Sequence, residues 1–169
     1  MKPARYLFII SFFCLATSFA NAQKFKTALE LNTYFVSIND TLYRFGKEWG
    51  TSLNTAVSNK DFTLMTANRK KLEQFISGKY EELRTMRDVF ESAKFRLAML
   101  DFLAFEEKMI KEAFLPFEKL SSSSSQDEIK KAINSLVTLS EQENGHLAKI
   151  HTAQGEFATK NGFILDKNE

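Results

Sequence analysis

The amino-acid sequence predicts an all-α protein, an antiparallel up-down four-helix bundle. Three observations carry this. Apolar residues recur at steps of three and four over long windows, and strand-type alternation is absent over any useful length. Helix breakers are scarce, with 6 glycines and 2 prolines in 169 residues. Polar breaks then divide the periodic stretches into four segments of roughly 25 to 35 residues each. Such helices make a bundle about 40 to 50 Å long at 1.5 Å per residue.

Residues 1–22 stand apart from this pattern. Lys2 and Arg5 make a basic start, Tyr6 to Phe13 is an apolar run, and Cys14 to Ala20 extends it weakly. Ala20-Asn21-Ala22 closes it with a small-x-small pattern. This is the layout of a secretory signal peptide, with cleavage expected before Gln23. The expected mature domain is 23–169. Export places it in the periplasm or on the cell surface.

Removing 22 of the 169 residues leaves 147, enough for one domain with a real core. Of the 23 Lys and Arg residues, 2 lie in the leader, so 21 cations face 21 anions in the mature chain. This balance gives no electrostatic case for nucleic acid, and none is expected as a partner. The only cysteine, Cys14, lies in the leader, which leaves no disulfide and no thiol nucleophile. Cys14 as a lipidated N-terminus is disfavoured by Ser11-Phe12-Phe13 before it, where a lipobox needs small residues. No segment of the mature chain approaches the roughly 18 apolar residues that span a bilayer. The richest, Phe95 to Phe105, carries Arg96 and Asp101.

The first helix is predicted from about Lys24 to Val57. Leu31, Phe35, Ile38, Leu42, Phe45 and Trp49 step by four and three, and Ala56 rejoins the series. Gly46 and Gly50 interrupt it, marking either a kink or a close approach of another helix. Ser58-Asn59-Lys60-Asp61 is a turn, with Asp61 as N-cap of the second helix. That helix runs from about Phe62 to Met86, with Phe62, Met65, Leu72, Ile76, Tyr80 and Leu83 facing inward and a weak point at Ser77-Gly78. Arg87-Asp88 is a candidate break with Asp88 as cap; a helix continuous through it is the alternative.

The third helix is predicted from about Val89 to Leu115. Phe95, Ala98, Phe102, Phe105 and Met109 form its stripe, widened by Leu100, Leu103 and Phe114. Pro116 should end or bend it. Ser121 to Ser125 form a polar linker, and Ser125 with Glu128 fits a capping box. The fourth helix runs from about Gln126 to Lys160. Ile129, Ile133, Leu136, Ser140, Glu143, Leu147, Ile150, Gln154 and Phe157 follow one series at steps of four and three. Asn161-Gly162 stops it, and Phe163-Ile164-Leu165 is a short apolar tail expected to pack back on the bundle.

Few residues carry chemistry. Glu143 and His146, three apart on one helical face, are the candidate metal ligands; di-iron bundles use such a pair on two helices. Here there is one pair. The other histidine, His151, points elsewhere, and Glu106, Glu107 and Glu112 of the third helix have no partner histidine. Structural polar residues at a helix interface are the plainer reading. Ser140, Glu143 and Gln154 sit at inward positions of the fourth helix. They form either a polar pocket for a small ligand or an internal hydrogen-bond network with Asn32, Asn39 or Thr41. Asp101 falls off the main aromatic stripe, which predicts a solvated side chain. The 13 phenylalanines of the mature chain read as core rather than as a cofactor box. Haem held by a histidine and Met65, Met86, Met99 or Met109 is a remote alternative. No phosphate-cradling loop, nucleophile elbow or zinc spacing is present, so no catalytic residue is named and no cofactor is expected.

Ala153-Gln154-Gly155-Glu156-Phe157-Ala158-Thr159-Lys160-Asn161 is similar to a segment of exported bacterial helical-bundle surface proteins of uncharacterised function. Those chains pair a signal peptide with about 150 further residues and a terminal Ala-Gln-x-x-Phe-Ala segment. Many of them look like lipoproteins, from which this chain departs. The resemblance implies a helical bundle in the cell envelope and supplies no activity and no catalytic residues. The expected function is a non-enzymatic binding or interaction module for a protein or small ligand of the cell envelope. Two alternatives are a metal- or cofactor-binding bundle centred on Glu143 and His146, and a periplasmic chaperone-like binder with an exposed apolar concave face.

Overall fold

The structure, a computed structural model, describes residues 24–165. The expected leader lies outside them. Four long helices form an antiparallel up-down bundle: α1 (Ala28–Asn59), α2 (Thr66–Thr85), α3 (Ala93–Met109) and, after a short α4 (Leu115–Glu118), α5 (Gln126–Asn161). The described residues contain no strand. No described helix is long and apolar enough to cross a membrane. Helix α3 packs against α2 on one side and α5 on the other, α1 packs against α2, and α1 meets α5 most sparingly.

The caps follow local chemistry. Thr27 Oγ1 accepts from the Glu30 amide at 3.1 Å and starts α1. Lys60, at φ 55°, ends it in the left-handed region. Asp61 does cap the following turn, accepting from the Thr63 amide at 3.0 Å. That turn is a 3-10 helix, Phe62–Met65, so α2 proper begins at Thr66. Ser125 and Glu128 form both bonds of the capping box, and Gly162 ends α5 at φ 70°.

Some local features differ from expectation. Helices α2 and α3 are separate, as expected, but Asp88 caps neither. Its carboxylate instead holds Arg96, which also donates to the Leu83 carbonyl at 3.2 Å near the end of α2. Phe90 and Glu91 turn the chain at φ 54° and 58°, and Asn161 donates to the Phe90 carbonyl at 3.0 Å. At Pro116 the helical path does not end. It passes through a π turn, Ile110–Phe114, and continues to Glu118. Proline cannot donate to the carbonyl four residues back, that of Glu112. Ser135 Oγ of α5 donates to that carbonyl instead, at 2.7 Å. Gly46 and Gly50 sit in an unbroken α1, and no other helix approaches them: a Cβ at either would meet nothing within 4 Å. Helix α2 is likewise unbroken through Ser77-Gly78.

The core is built of the predicted stripes on α1, α2 and α3, all seven α1 positions being buried. Phe35 meets Phe95 edge to face at 4.8 Å, and Phe95 meets Phe157 at 5.8 Å. Phe163 packs back on Phe157, whereas Ile164 is exposed. On α5 the predicted positions Ile150, Gln154 and Phe157 are buried, but in the N-terminal half the face shifts. Ala132 and Leu139 are buried, while Ile133 is 46% exposed and Ser140 is exposed. The reason is period. A strict alternation of four and three averages 3.5 residues per turn, but a straight helix has about 3.6. On such a helix Leu139 and Phe157 lie on one line, and Ser140 is turned about 100° away from it.

Sequence pattern did not reveal the α2–α4 tie. Arg69, 7% exposed, pairs with Glu118 and with Glu73, and Thr66 donates to the same Glu118 carboxylate at 2.8 Å. Replacing Arg69 by methionine leaves the Glu118 carboxylate, 12% exposed, without its cation. Urea denaturation is expected to register a loss of about 3–5 kcal/mol.

Candidate functional site

The sparse α1–α5 seam encloses a half-open groove of about 420 Å³. That volume falls within the range of small-ligand sites, about 300–1,000 Å³. Asp40, Tyr43, Gly46, Lys47, Trp49 and Gly50 line it from α1, and Phe102, Glu106 and Met109 from α3. Leu136, Ser140, Glu143 and Leu147 line it from α5. Gly46, Gly50 and Ser140 supply almost no side-chain volume, which is why the seam stays open there.

Trp49 stacks on Phe114 with ring centres 3.7 Å apart and planes at 6°. Its indole nitrogen is buried and has no hydrogen-bond partner. The same holds for Glu106 Oε1, on a residue 7% exposed. These are the two unpartnered buried side-chain polar atoms among the described residues, and both residues line the same groove. Burial, then the neighbouring Glu143 carboxylate, pushes the Glu106 carboxyl up to about 8. Burial raises Glu143 as well. The groove is therefore lined by an indole and a carboxyl whose buried polar atoms lack partners, by a second carboxyl, and by an apolar wall.

Glu143 and His146 are not brought together as a metal pair. Glu143 is on the groove side of α5, beside Glu106. His146 faces α3, where its Nδ1 lies 3.0 Å from Asp101 Oδ2 and its ring stacks on Phe105 at 4.3 Å. Lys149 donates to the same Asp101 oxygen at 3.0 Å. Asp101 is solvated as expected, and both contacts lower its carboxyl, that of Lys149 the more. Among the described residues no group of three or more His, Cys, Asp or Glu side chains is arranged to hold a metal ion.

The three residues of the expected polar pocket separate. Ser140 and Glu143 line the groove. Gln154 is buried farther along the seam and donates to Asn32 Oδ1 at 3.1 Å, a bond buried on both sides. A second, smaller cavity of about 250 Å³ lies between, sharing Asn39 and Asp40 with the first. Glu106 and Trp49 are not among the site residues that the sequence suggests. A signal for Glu106 was present: it sits four residues after Phe102 and three before Met109, on core spacing. Nothing in the sequence distinguishes Trp49 from an ordinary core position.

No protein-family model, curated protein or solved structure matches this chain.

Two outcomes are expected. From pH 4.5, the ordinary value, up to about 8, the folded chain keeps a proton on Glu106 that the unfolded chain has lost. Stability therefore falls as pH rises through that window. Glu82 works oppositely and elsewhere. Burial opposes its ionisation, but Lys24, Lys79 and Tyr34 hold it down to about 2, so its contribution is lost only below pH 4.5. Denaturant melts of Glu106→Gln should lose the slope between pH 5 and 8, gaining on the order of a few kcal/mol over the parent at the upper end. Separately, Asn32→Leu strands the Gln154 amide and should cost about 1–3 kcal/mol, whereas Asn32→Leu with Gln154→Leu should recover most of it in the same melts.

Proposed function

We propose that this chain is an exported cell-envelope binding module, without catalytic activity, that holds a small, largely apolar ligand in the α1–α5 groove. The observation that carries the reading is the pair of unpartnered polar atoms, Trp49 Nε1 and Glu106 Oε1, on residues lining one cavity. Leaving such atoms unpaired costs about 1–3 kcal/mol each. A ligand that bonds to both recovers that energy, and natural interiors seldom leave two such atoms around one space. The leader-like residues 1–22 and the similarity of the 153–161 segment to exported helical-bundle surface proteins support the envelope location. In that segment Ala153, Gln154, Phe157 and Ala158 are buried, so the similarity speaks for the fold rather than for the groove. A small ligand is favoured over a chaperone-like role because the concave surface carries acids and a lysine among its apolar residues. It is favoured over a metal because His146 is engaged by Asp101 rather than by Glu143.

Trp49 is the only tryptophan of the chain, so its emission reports on the groove directly. The apolar dye N-phenyl-1-naphthylamine should quench it saturably, with one dye bound per chain. Gly50→Leu fills the groove, and because leucine replaces glycine inside a helix it should also raise stability by about 0.5–1 kcal/mol. The expected result is a variant that folds at least as well and no longer takes up the dye. Equal dye binding by the parent and this variant would count against the groove as the site.

A further inference from the structure

The charges around the groove are not balanced as they are over residues 23–169. Asp40, Glu106 and Glu143 face it against Lys47 alone. The most deeply buried of these acids, Glu106, is the one with a free acceptor atom. A carboxylate or phosphate ligand would enter against this acidic wall. A neutral apolar ligand would leave the Glu106 oxygen as it is, without a donor. A metal ion would find two carboxylates and no third ligand from Asp, Glu, His or Cys.

Resting on the groove reading above, we infer that the ligand is an organic cation: an apolar body against Trp49, Phe102 and Met109, with an ammonium or amidinium head donating to Glu106 and Glu143. An acceptor on the body, such as a hydroxyl or carbonyl, would complete the site by taking the Trp49 N–H. The match is between a site short of a donor at Glu106 and a head group that has donors and positive charge. Charge-assisted bonds of this kind are roughly twice as strong as neutral ones.

A proton is coupled to this event. Glu143 faces Glu106 from α5, Asp40 and Lys47 line the groove from α1, and α2 contributes only Leu72 to its lining. With its carboxyl pushed up to about 8, chiefly by burial, Glu106 is mostly protonated at neutral pH. Seating a cation ionises it and releases that proton to solvent. Affinity for a cation should therefore rise between pH 6 and 8, by up to roughly tenfold per pH unit.

The test uses three probes of one shape: 1-adamantanemethylamine, 1-adamantanemethanol and 1-adamantanecarboxylate. Each is titrated into the full mature protein at pH 6 and 8.5, with Trp49 emission and calorimetry as readouts. The expected result is binding of the amine at least tenfold tighter than the alcohol at pH 8.5, with the carboxylate weakest. Amine affinity should fall at pH 6, and Glu106→Gln, checked for folding by its melting midpoint, should erase both the preference and the pH dependence. Equal binding of amine and alcohol, or tightest binding of the carboxylate, overturns the cation assignment and leaves the groove reading standing. Failure of all three probes while N-phenyl-1-naphthylamine still binds has the same meaning. Failure of the dye as well overturns both.

Discussion

The seam between α1 and α5 is short of side-chain volume, and most of what is distinctive in this bundle follows from that shortage. Interiors pack at a density near 0.74 and leave few voids larger than a water molecule. Here α1 places Gly46 and Gly50, and α5 places Ser140, residues with little or no side chain. The helices still meet elsewhere along the seam, where Asn32 and Gln154 bond in a buried pair. Away from that pair nothing fills the gap, and the groove opens over the buried Glu106 and Trp49.

The rest of the molecule is built to keep that seam from collapsing. Helix α3 is braced on both sides. It lies on α5 over most of its length, and its extension through the π turn is held by Ser135 to the Glu112 carbonyl and by Arg69 to Glu118. Leu139 and Phe157 of α5 are buried in the core. The aromatic contacts Phe35–Phe95–Phe157 lock the other end. A cavity persists when the elements around it are more strongly bound to third parties than to each other, and that is the situation of α1 and α5.

The electrostatic consequence is a carboxyl kept in an environment that disfavours its charge. Desolvation is the largest influence on Glu106, and the nearby Glu143 adds to it. Such an arrangement costs stability at and above neutral pH, with no compensating partner within the bundle. The same low-polarity surroundings that disfavour the bare carboxylate would strengthen its interaction with a cation. Elsewhere the charges are paired, some largely buried as at Arg69–Glu118 and others on the surface as at Lys149–Asp101, where solvent limits their worth.

By itself the sequence determined the helical class, the number of long helices, the caps of α5 at Ser125 and Gly162, the capping role of Asp61 at the turn before α2, and the core faces of α1, α2 and α3. These depend on neighbours three and four residues away, which a linear pattern records. On α5 the linear pattern gave the buried positions Ile150, Gln154 and Phe157 but not those of the N-terminal half, where Ala132 and Leu139 are buried instead, because 3.5 and 3.6 residues per turn diverge over 36 residues. Nor did it determine the fate of Pro116, since the acceptor it orphans is satisfied by Ser135 from another helix. The candidate site was legible only in part. Ser140 and Glu143 were singled out as a polar pocket, and they do line a groove. Gln154, chosen with them, is spent on Asn32, and His146 on Asp101. Glu106 and Trp49 became visible only in three dimensions. A missing hydrogen-bond partner is a property of the folded surroundings, and no residue pattern along one helix records it.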